Sequence, residues 1–461
     1  MTIMNAGVDG GADRQENRLD RLVDLAASGR DQDLSEAVAA LHPADVAELI
    51  DAIERVEIKG KVFGVLAPDV APTVLSLVTP PSRERIVQHL SVDQLRQIVL
   101  ALDSDDAADL LALVPGERAQ AILAGLPGPL SARIQQLMRY PADTAGGLMQ
   151  SEYAAVLAGA TVEEAVEIVR TLAETVSDIH NVFVVDHRFH LLGVLSLAQL
   201  ILARAGQTVD AVMDRQVISV TVSTDQEEVA QLFRKYDLLS LPVTDPRGAL
   251  LGRITIDDVV DVLEEEASED FSKLSGLGQE EPIFDSPLRA IRRRLPWLGL
   301  NLVTTSLSAS VIGLFQGTIQ TMALAAALMT IVAAQGGNAG VQTLTVMVRG
   351  LALGQITAVH ARAILIKELV VGCGNGIALG LVAGIAGYFL HRQALLAVVL
   401  GLALLVNYLV AALVASLIPL TLHSLRADPA VASSVFVTAC TDLCGFFAFL
   451  GFLSVGLSYF G

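Results

Sequence analysis

The apolar positions of this chain change their period along its length, and each change marks a different kind of structure. Over residues 17–140 they recur at helical spacing in short runs opened by Ser, Asp or Pro. Two examples are Leu41-His42-Pro43-Ala44-Asp45-Val46-Ala47-Glu48-Leu49-Ile50 and Asp103-Ser104-Asp105-Asp106-Ala107-Ala108-Asp109-Leu110-Leu111. Three- and four-residue spacing places such residues on one helix face, and Ser104 and Asp105 are candidates to cap the amides left open at a helix start. No strand-like alternation interrupts these runs. The expectation is an all-α, superhelical N-terminal domain of stacked short helices.

From residue 141 the pattern becomes strand-like and then repeats. Val182-Phe183-Val184-Val185-Asp186 is followed by Leu191-Leu192-Gly193-Val194-Leu195-Ser196 and a helical run, Leu197–Leu202. The same sentence returns as Leu241-Pro242-Val243-Thr244-Asp245, Leu250-Leu251-Gly252-Arg253-Ile254-Thr255 and a helix from Ile256; Gly193 to Gly252 and Leu195 to Ile254 are both steps of 59 residues. With a leading helix in each copy (Glu163–Arg170 and Glu227–Tyr236), this predicts two α/β modules, over 141–206 and 207–266. The pair resembles tandem CBS modules. In that family the Thr255-x-x-Asp258 pattern of the second copy can hold a nucleotide ribose, which makes ATP a candidate ligand; the first copy has Ser196 but Gln199.

Residues 257–294 are strongly charged, from Asp257-Asp258 and Asp261 through Glu264-Glu265-Glu266 and Glu269-Asp270 to Arg289 and Arg292-Arg293-Arg294. A connecting helix is expected over 267–295. Beyond Pro296 the chain is nearly all hydrocarbon, and hydropathy predicts a five-helix all-α transmembrane domain with spans at 296–318, 321–348, 364–390, 394–422 and 434–459. A cytoplasmic N-terminus places Arg292–Arg294, Arg349, Arg362, Lys367 and Arg426 inside and Arg392 outside, as positive-inside topology requires, and leaves the C-terminus outside. Residues 1–16 are polar and glycine-rich, read as a disordered tail without the apolar core of a signal peptide.

Charge sharpens this division. The chain of 461 residues carries a formal net charge of −19, yet residues 296–461 hold only three acids against five bases. The soluble half is therefore strongly acidic, which disfavours nucleic acid and favours cations. Cys373, Cys440 and Cys444 all fall in apolar segments and suggest neither a disulfide framework nor a zinc site.

Asp442 carries the sharpest chemical signal. Glu368 lies beside Lys367 and Asp428 precedes Pro429, but Asp442 sits within the apolar run Val435–Tyr459. A carboxylate at that depth is costly unless it faces water, a partner or an ion. Ser434, Thr438 and Thr441 recur near one helical turn from one another or from Asp442, which points to oxygen chemistry suited to a hard cation such as Mg2+. Gln335-Gly336-Gly337-Asn338-Ala339-Gly340-Val341-Gln342 is expected to interrupt the second span; such irregular backbone lines protein or water at membrane depth, and Asn338 is a candidate gate or pore residue. One Asp cannot cage Mg2+, but two Asp442 side chains on a dimer axis could hold a hydrated ion through its waters.

Several stretches together resemble the MgtE family of magnesium channels. They are Ala145-Gly146-Gly147-Leu148-Met149, Tyr236-Asp237-Leu238-Leu239-Ser240-Leu241-Pro242-Val243, Glu266-Ala267-Ser268-Glu269-Asp270, Gly336-Gly337-Asn338-Ala339-Gly340-x-Gln342, Arg349-Gly350-Leu351-Ala352-Leu353-Gly354, Lys367-Glu368 and Asp428-Pro429-Ala430. The resemblance implies a homodimer in the cell membrane that takes up Mg2+, with Asp442 as the pore residue helped by backbone oxygens near Ser434 and Thr438. It also implies that cytosolic Mg2+ closes the pore by bridging acids of the N-domain, the modules and a plug helix. The matching positions are Asp105, Asp109, Asp225, Glu227, Asp237, Asp258, Asp261, Glu266, Glu269 and Asp270. The chain departs from the family at Thr330, where a proline is usual, at Ser434 and Val435, where Gly or Asn followed by Pro is usual, and at Ala439. Loss of a kinking proline bears on pore shape.

A second reading is a membrane-anchored CBS sensor, and a third a transporter of broader divalent-cation preference. A mere anchor needs neither Asp442 nor the Gly-Asn-Gln motif. An enzyme is disfavoured because no nucleophile–base pair stands out, and the absence of a GxxxxGK[ST] run argues against an ATP-driven pump.

Overall fold

Each apolar run of the first segment forms a short helix in the computed structural model, which describes residues 21–173, 176, 179–204, 206–277, 281, 286–356, 360–425, 427–431 and 434–460. The expected tail at 1–16 lies outside the described residues, as do Arg426 and Ser433. The chain divides into two units, Met1–Leu263 and Glu264–Gly461.

In the first unit, helices from Asp31–Ala39 to Gly128–Leu137 follow one another with tight corners. Each packs on the next but one: Pro43–Ala52 on Ala71–Leu77, that on Val92–Ala101, and that on Gly116–Ala124. This pairing lets every short helix bury one face against a neighbour, as in a solenoid. Leu34, Ile50, Val74, Leu95, Ile122 and Ile134 are fully buried along its core. The corners have local causes. Ser91 and Gln94 close a capping box at one start, and Pro43, Pro80 and Pro129 stand in the first turn of three others.

One cap differs from expectation. Asp103, not Ser104 or Asp105, takes the cap position of the Ser104–Ala112 helix, and its side chain makes no cap bond. Ser104 instead turns inward: its hydroxyl donates to Glu152 Oε2 at 2.6 Å and accepts from the Ser151 amide at 2.8 Å. A charged carboxylate is a strong acceptor, and the bond fastens this helix to the chain entering the first module.

The repeat builds two three-stranded sheets. In the first, β1 (Ala154–Leu157) lies parallel to β2 (Asn181–Val185), which pairs antiparallel with β3 (Leu191–Ser196). In the second, β4 (Val220–Thr221), β5 (Ser240–Thr244) and β6 (Leu250–Thr255) repeat that order. The leading helices are Val162–Leu172 and Gln226–Tyr236. The copies meet through equivalent residues. Asn181 donates to Ser240 Oγ at 3.0 Å, and His190 bridges to Ala249 through the backbone. Their shared turn repeats as well, with Asp186 accepting from the Arg188 and His190 amides and Asp245 from those of Arg247 and Ala249.

The expected connecting helix is not one helix. Its acidic part continues the last helix of the second module, which runs unbroken from Ile256 to Leu274, and ends before Gly276, whose φ of +77° a side chain would resist. Its basic part begins the next helix, Pro287–Leu314.

The second unit contains five long helices: Pro287–Leu314, Ala325–Ala352, Ala361–His391, Ala394–Ser424 and Ser434–Phe460. Four are long and apolar enough to cross a membrane; the second is 28 residues long, and its glutamines and asparagine hold it below that apolarity. It is nonetheless continuous through Gln335–Gln342, so the expected interruption is absent. In hydrocarbon a helix keeps every backbone group satisfied, which outweighs the weak intrinsic helix preference of glycine. Small residues bring helices close. A Cβ on Gly380 of the third would stand 2.7 Å from the Gly401 carbonyl of the fourth.

Candidate functional site

Three groups of side chains are candidates, one in the first unit and two in the second. In the second unit, Ser434, Thr438 and Asp442 recur every fourth residue on the fifth long helix and so share a face, all half-buried. The hydroxyls are not simply free oxygens. Thr438 donates to the Ser434 carbonyl at 2.7 Å, and Thr441, fully buried, to the Thr438 carbonyl at 2.9 Å. Thr441 is thereby removed from the row. Thr438 faces the second helix, since a Cβ on Gly337 would sit 3.5 Å from its methyl, and one on Gly340 would reach 2.5 Å from Val437. The glycines of the polar motif are thus contact points for the helix that carries Asp442. Asn338 is exposed, as is Gln342.

Sequence reasoning missed what holds this joint. Asn407 of the fourth helix is fully buried, and its Nδ2 donates to the Val332 carbonyl at 2.8 Å. A Cβ on Gly336 would stand 2.0 Å from that nitrogen, and one on Gly445 of the fifth helix 2.7 Å. Asn407 therefore fills the space where the second, fourth and fifth helices converge, and among the described residues its Oδ1 has no hydrogen-bond partner. Next to it, Tyr408 donates to Gln335 Oε1 at 2.9 Å. The signal was visible: Asn407 interrupts Leu404-Leu405-Val406, a run with no other use for an amide. Glu368, set aside in the sequence for its neighbour Lys367, is also buried.

In the first unit, Asp105 and Asp258 come together. Asp105, on the helix whose start is fastened to Glu152, is 8% exposed. Burial, with repulsion from Asp258, Asp106 and Asp103, holds its carboxyl well above the ordinary range. Burial likewise pushes Asp258 up to about 7, against the pull of the Thr255 hydroxyl, which donates to it at 2.6 Å; Asp257 and Asp106 add repulsion. Asp103 is raised too, by burial and then Glu152. Asp109 lies one turn on from Asp105, and Asp261 three residues on from Asp258. Asp225, Glu227 and Asp237 lie on or beside the second module's leading helix. Asp225 caps the Gln226–Tyr236 helix by accepting from the Glu227 amide at 2.9 Å, Glu227 accepts from Gln231, and Asp237 ends that helix in the left-handed region at φ 51°.

Acids also gather in the second unit. Lys273 bridges Glu269 and Asp428, both at 2.6 Å. Burial pushes Asp270 up to about 6, with Asp428 and Glu266 adding repulsion. Among the described residues, no three acidic, histidine or cysteine side chains are arranged to hold a metal ion. The acids instead stand as crowded like charges that a proton or a cation would relieve.

A pH dependence follows. Carboxyls raised above their unfolded values stabilise the fold when protonated. For Asp258 that contribution is complete below the unfolded value of about 4 and is lost as pH rises through about 7. Without divalent cations, hydrogen exchange in the Ser104–Ala112 helix, corrected for intrinsic rates, is expected to quicken between about pH 6 and pH 8. Asp258→Asn is expected to flatten the profile. An unchanged pH slope in that variant would remove Asp258 as its source.

The chain's likenesses agree with this division. A family model described as a divalent cation transporter, MgtE, matches residues 329–452; the MgtE intracellular N domain matches 41–143, and CBS domains match 145–206 and 209–265. A magnesium transporter MgtE of Enterococcus faecalis is 36% identical over 331 residues, 72% of this chain and 73% of that protein. That of Thermus thermophilus is 35% identical over 69% of this chain and 71% of its own length. Among solved structures, the cytosolic domain of the Mg2+ channel MgtE in complex with ATP is 37% identical, with a TM-score of 0.50, covering 53% of this chain and 99% of that one.

Proposed function

Because this chain belongs to the MgtE family of divalent cation transporters, we propose that it carries Mg2+ passively across the cell membrane through a pore whose ion-facing group is Asp442. It is a multi-pass membrane protein, and the acidic soluble half is assigned to the cytoplasm. The observation that carries the reading is the row Ser434, Thr438, Asp442 on an apolar helix seated against Gly337 and Gly340. Mg2+ prefers octahedral oxygen and sheds water reluctantly. Carboxylate, hydroxyl and retained water suit it, and a two-fold homodimer would set two such rows around one hydrated ion. The Thr438 and Thr441 hydroxyls donate to the Ser434 and Thr438 carbonyls and so occupy them, which leaves the Asp442 carboxylate and the lone pairs of the Ser434 and Thr438 hydroxyls as the acceptors that supply the path.

Regulation follows from the crowded acids. Mg2+ entering between Asp105, Asp109, Asp258 and Asp261, or among Glu266, Glu269 and Asp270, would replace repulsion with attraction and favour a closed arrangement. Asp225 already accepts from the Glu227 amide, and its remaining lone pairs, with the carboxylates of Glu227 and Asp237, are the part of the set that would face a second metal. ATP is proposed to bind between the modules with Thr255 and Asp258 at its ribose.

The test is Mg2+ influx into proteoliposomes. Influx is expected to follow the gradient and to fall as Mg2+ on the soluble-domain side rises, with ATP shifting the threshold. Influx that ignores Mg2+ on that side would keep the pore and remove the sensor; an ATP-independent threshold would remove the nucleotide site.

A further inference from the structure

The second, third and fourth long helices line a half-open cavity of about 240 Å3 that the pore reading does not use. Its polar lining includes Gln342 and Thr343 of the second helix and Lys367, Glu368 and Asn375 of the third. Glu368 is 5% exposed, within a helix otherwise apolar enough to cross a membrane. It pairs with Lys367, whose ammonium stands 2.8 Å from Glu368 Oε1 while the rest of the lysine side chain is largely exposed. Adjacent residues point to different sides of a helix, so the lysine must fold back to reach a carboxylate that faces the cavity. An ion pair built for stability alone would place the base one turn away. Lys367 instead resembles a tethered cation resting in a cation's place, on a flexible stem that can leave for water.

We propose that this cavity is a second divalent-cation site of the membrane unit. It holds a largely hydrated ion against Glu368, with Gln342, Thr343 and Asn375 bonding to the ion's waters. The volume suits this: six waters at roughly 30 Å3 each occupy about 180 Å3. The donor set is oxygen and amide, which suits a hard, water-retaining ion. Lys367 competes with the ion for Glu368, so an arriving cation frees the lysine and a leaving one is displaced by it. The proposal rests on the transport reading.

The test uses the full chain in proteoliposomes with Mg2+ as the probe, reading the apparent KM and maximal rate of influx. Glu368→Gln is expected to raise KM about tenfold, and Lys367→Gln, which removes the competitor, to lower it several-fold. The double variant is expected to behave like Glu368→Gln. Asn375→Leu, which leaves the ion pair intact, is expected to raise KM about threefold and covers the case in which Glu368→Gln fails to fold. Equal impairment of both single variants, restored in the double, would make the pair a structural one and overturn the site. So would wild-type KM in Glu368→Gln or, should that variant not fold, in Asn375→Leu. Absence of Mg2+ influx in the wild type would instead overturn the transport reading beneath it.

Discussion

Asp442→Asn is expected to reduce Mg2+ influx by about two orders of magnitude while the protein stays folded. A lone charge at mid-membrane carries a penalty of about 3 kcal/mol on insertion scales, and losing an ion interaction of that size slows passage about a hundredfold. Asparagine keeps the shape of the side chain and removes its charge, so the experiment isolates the electrostatic part. Asp442 accepts no hydrogen bond given by the described structure, and relief of its burial offsets any packing loss. Influx at the wild-type rate from a folded Asp442→Asn protein, judged by a single symmetric peak in size exclusion, would remove Asp442 from the ion path.

Gly336→Ala is expected to destabilise the membrane unit strongly. The added carbon would lie 2.0 Å from Asn407 Nδ2, in a space where Asn407 is fully buried and also abuts Gly445. Overpacking costs about 1–3 kcal/mol. Breaking the Asn407 bond to the Val332 carbonyl adds up to about 1.7 kcal/mol in a membrane setting. The thermal midpoint of the solubilised protein should fall sharply, and influx should fall with it because the second and fifth helices lose their register. Gly336→Ala combined with Asn407→Ala should recover most of the loss, since the smaller residue vacates the space. If Gly336→Ala melts like the wild type, Asn407 does not lock this joint.

Much of this arrangement was legible in the chain, and the limits have physical causes. The step of 59 residues between modules is a periodic signal, and it returns as Asn181 against Ser240 and His190 against Ala249. The short helices and the long apolar spans were legible for the same reason. Three features were hidden because they depend on partners distant in sequence. Ser104 bonds to Glu152, 48 residues away, in preference to capping its own helix. Asn407 bonds to a carbonyl 75 residues back. The Gly336-Gly337 stretch looks like a break because glycine weakens helices in water, yet close neighbours and absent water keep it helical. The acids divide likewise. Asp105 and Asp258 meet across the fold, while the intervening Asp225 and Asp237 stand at helix ends, a distinction that charge patterning does not reveal.

The unbroken helix from Ile256 to Leu274 has a mechanical consequence. Its 19 residues form a rod about 28 Å long whose first turns are anchored by Val259 and Val262 in the core of the first unit. A rod has no joint in which to dissipate a rotation. A tilt of about 10° at the anchored end would sweep the free end through about 5 Å, close to one helical pitch. That end carries Lys273, the residue gripping Asp428 just ahead of the fifth helix. Within that one helix, a small rotation near Asp258 would therefore be read out at Lys273 as a displacement, as leverage rather than as diffusing charge.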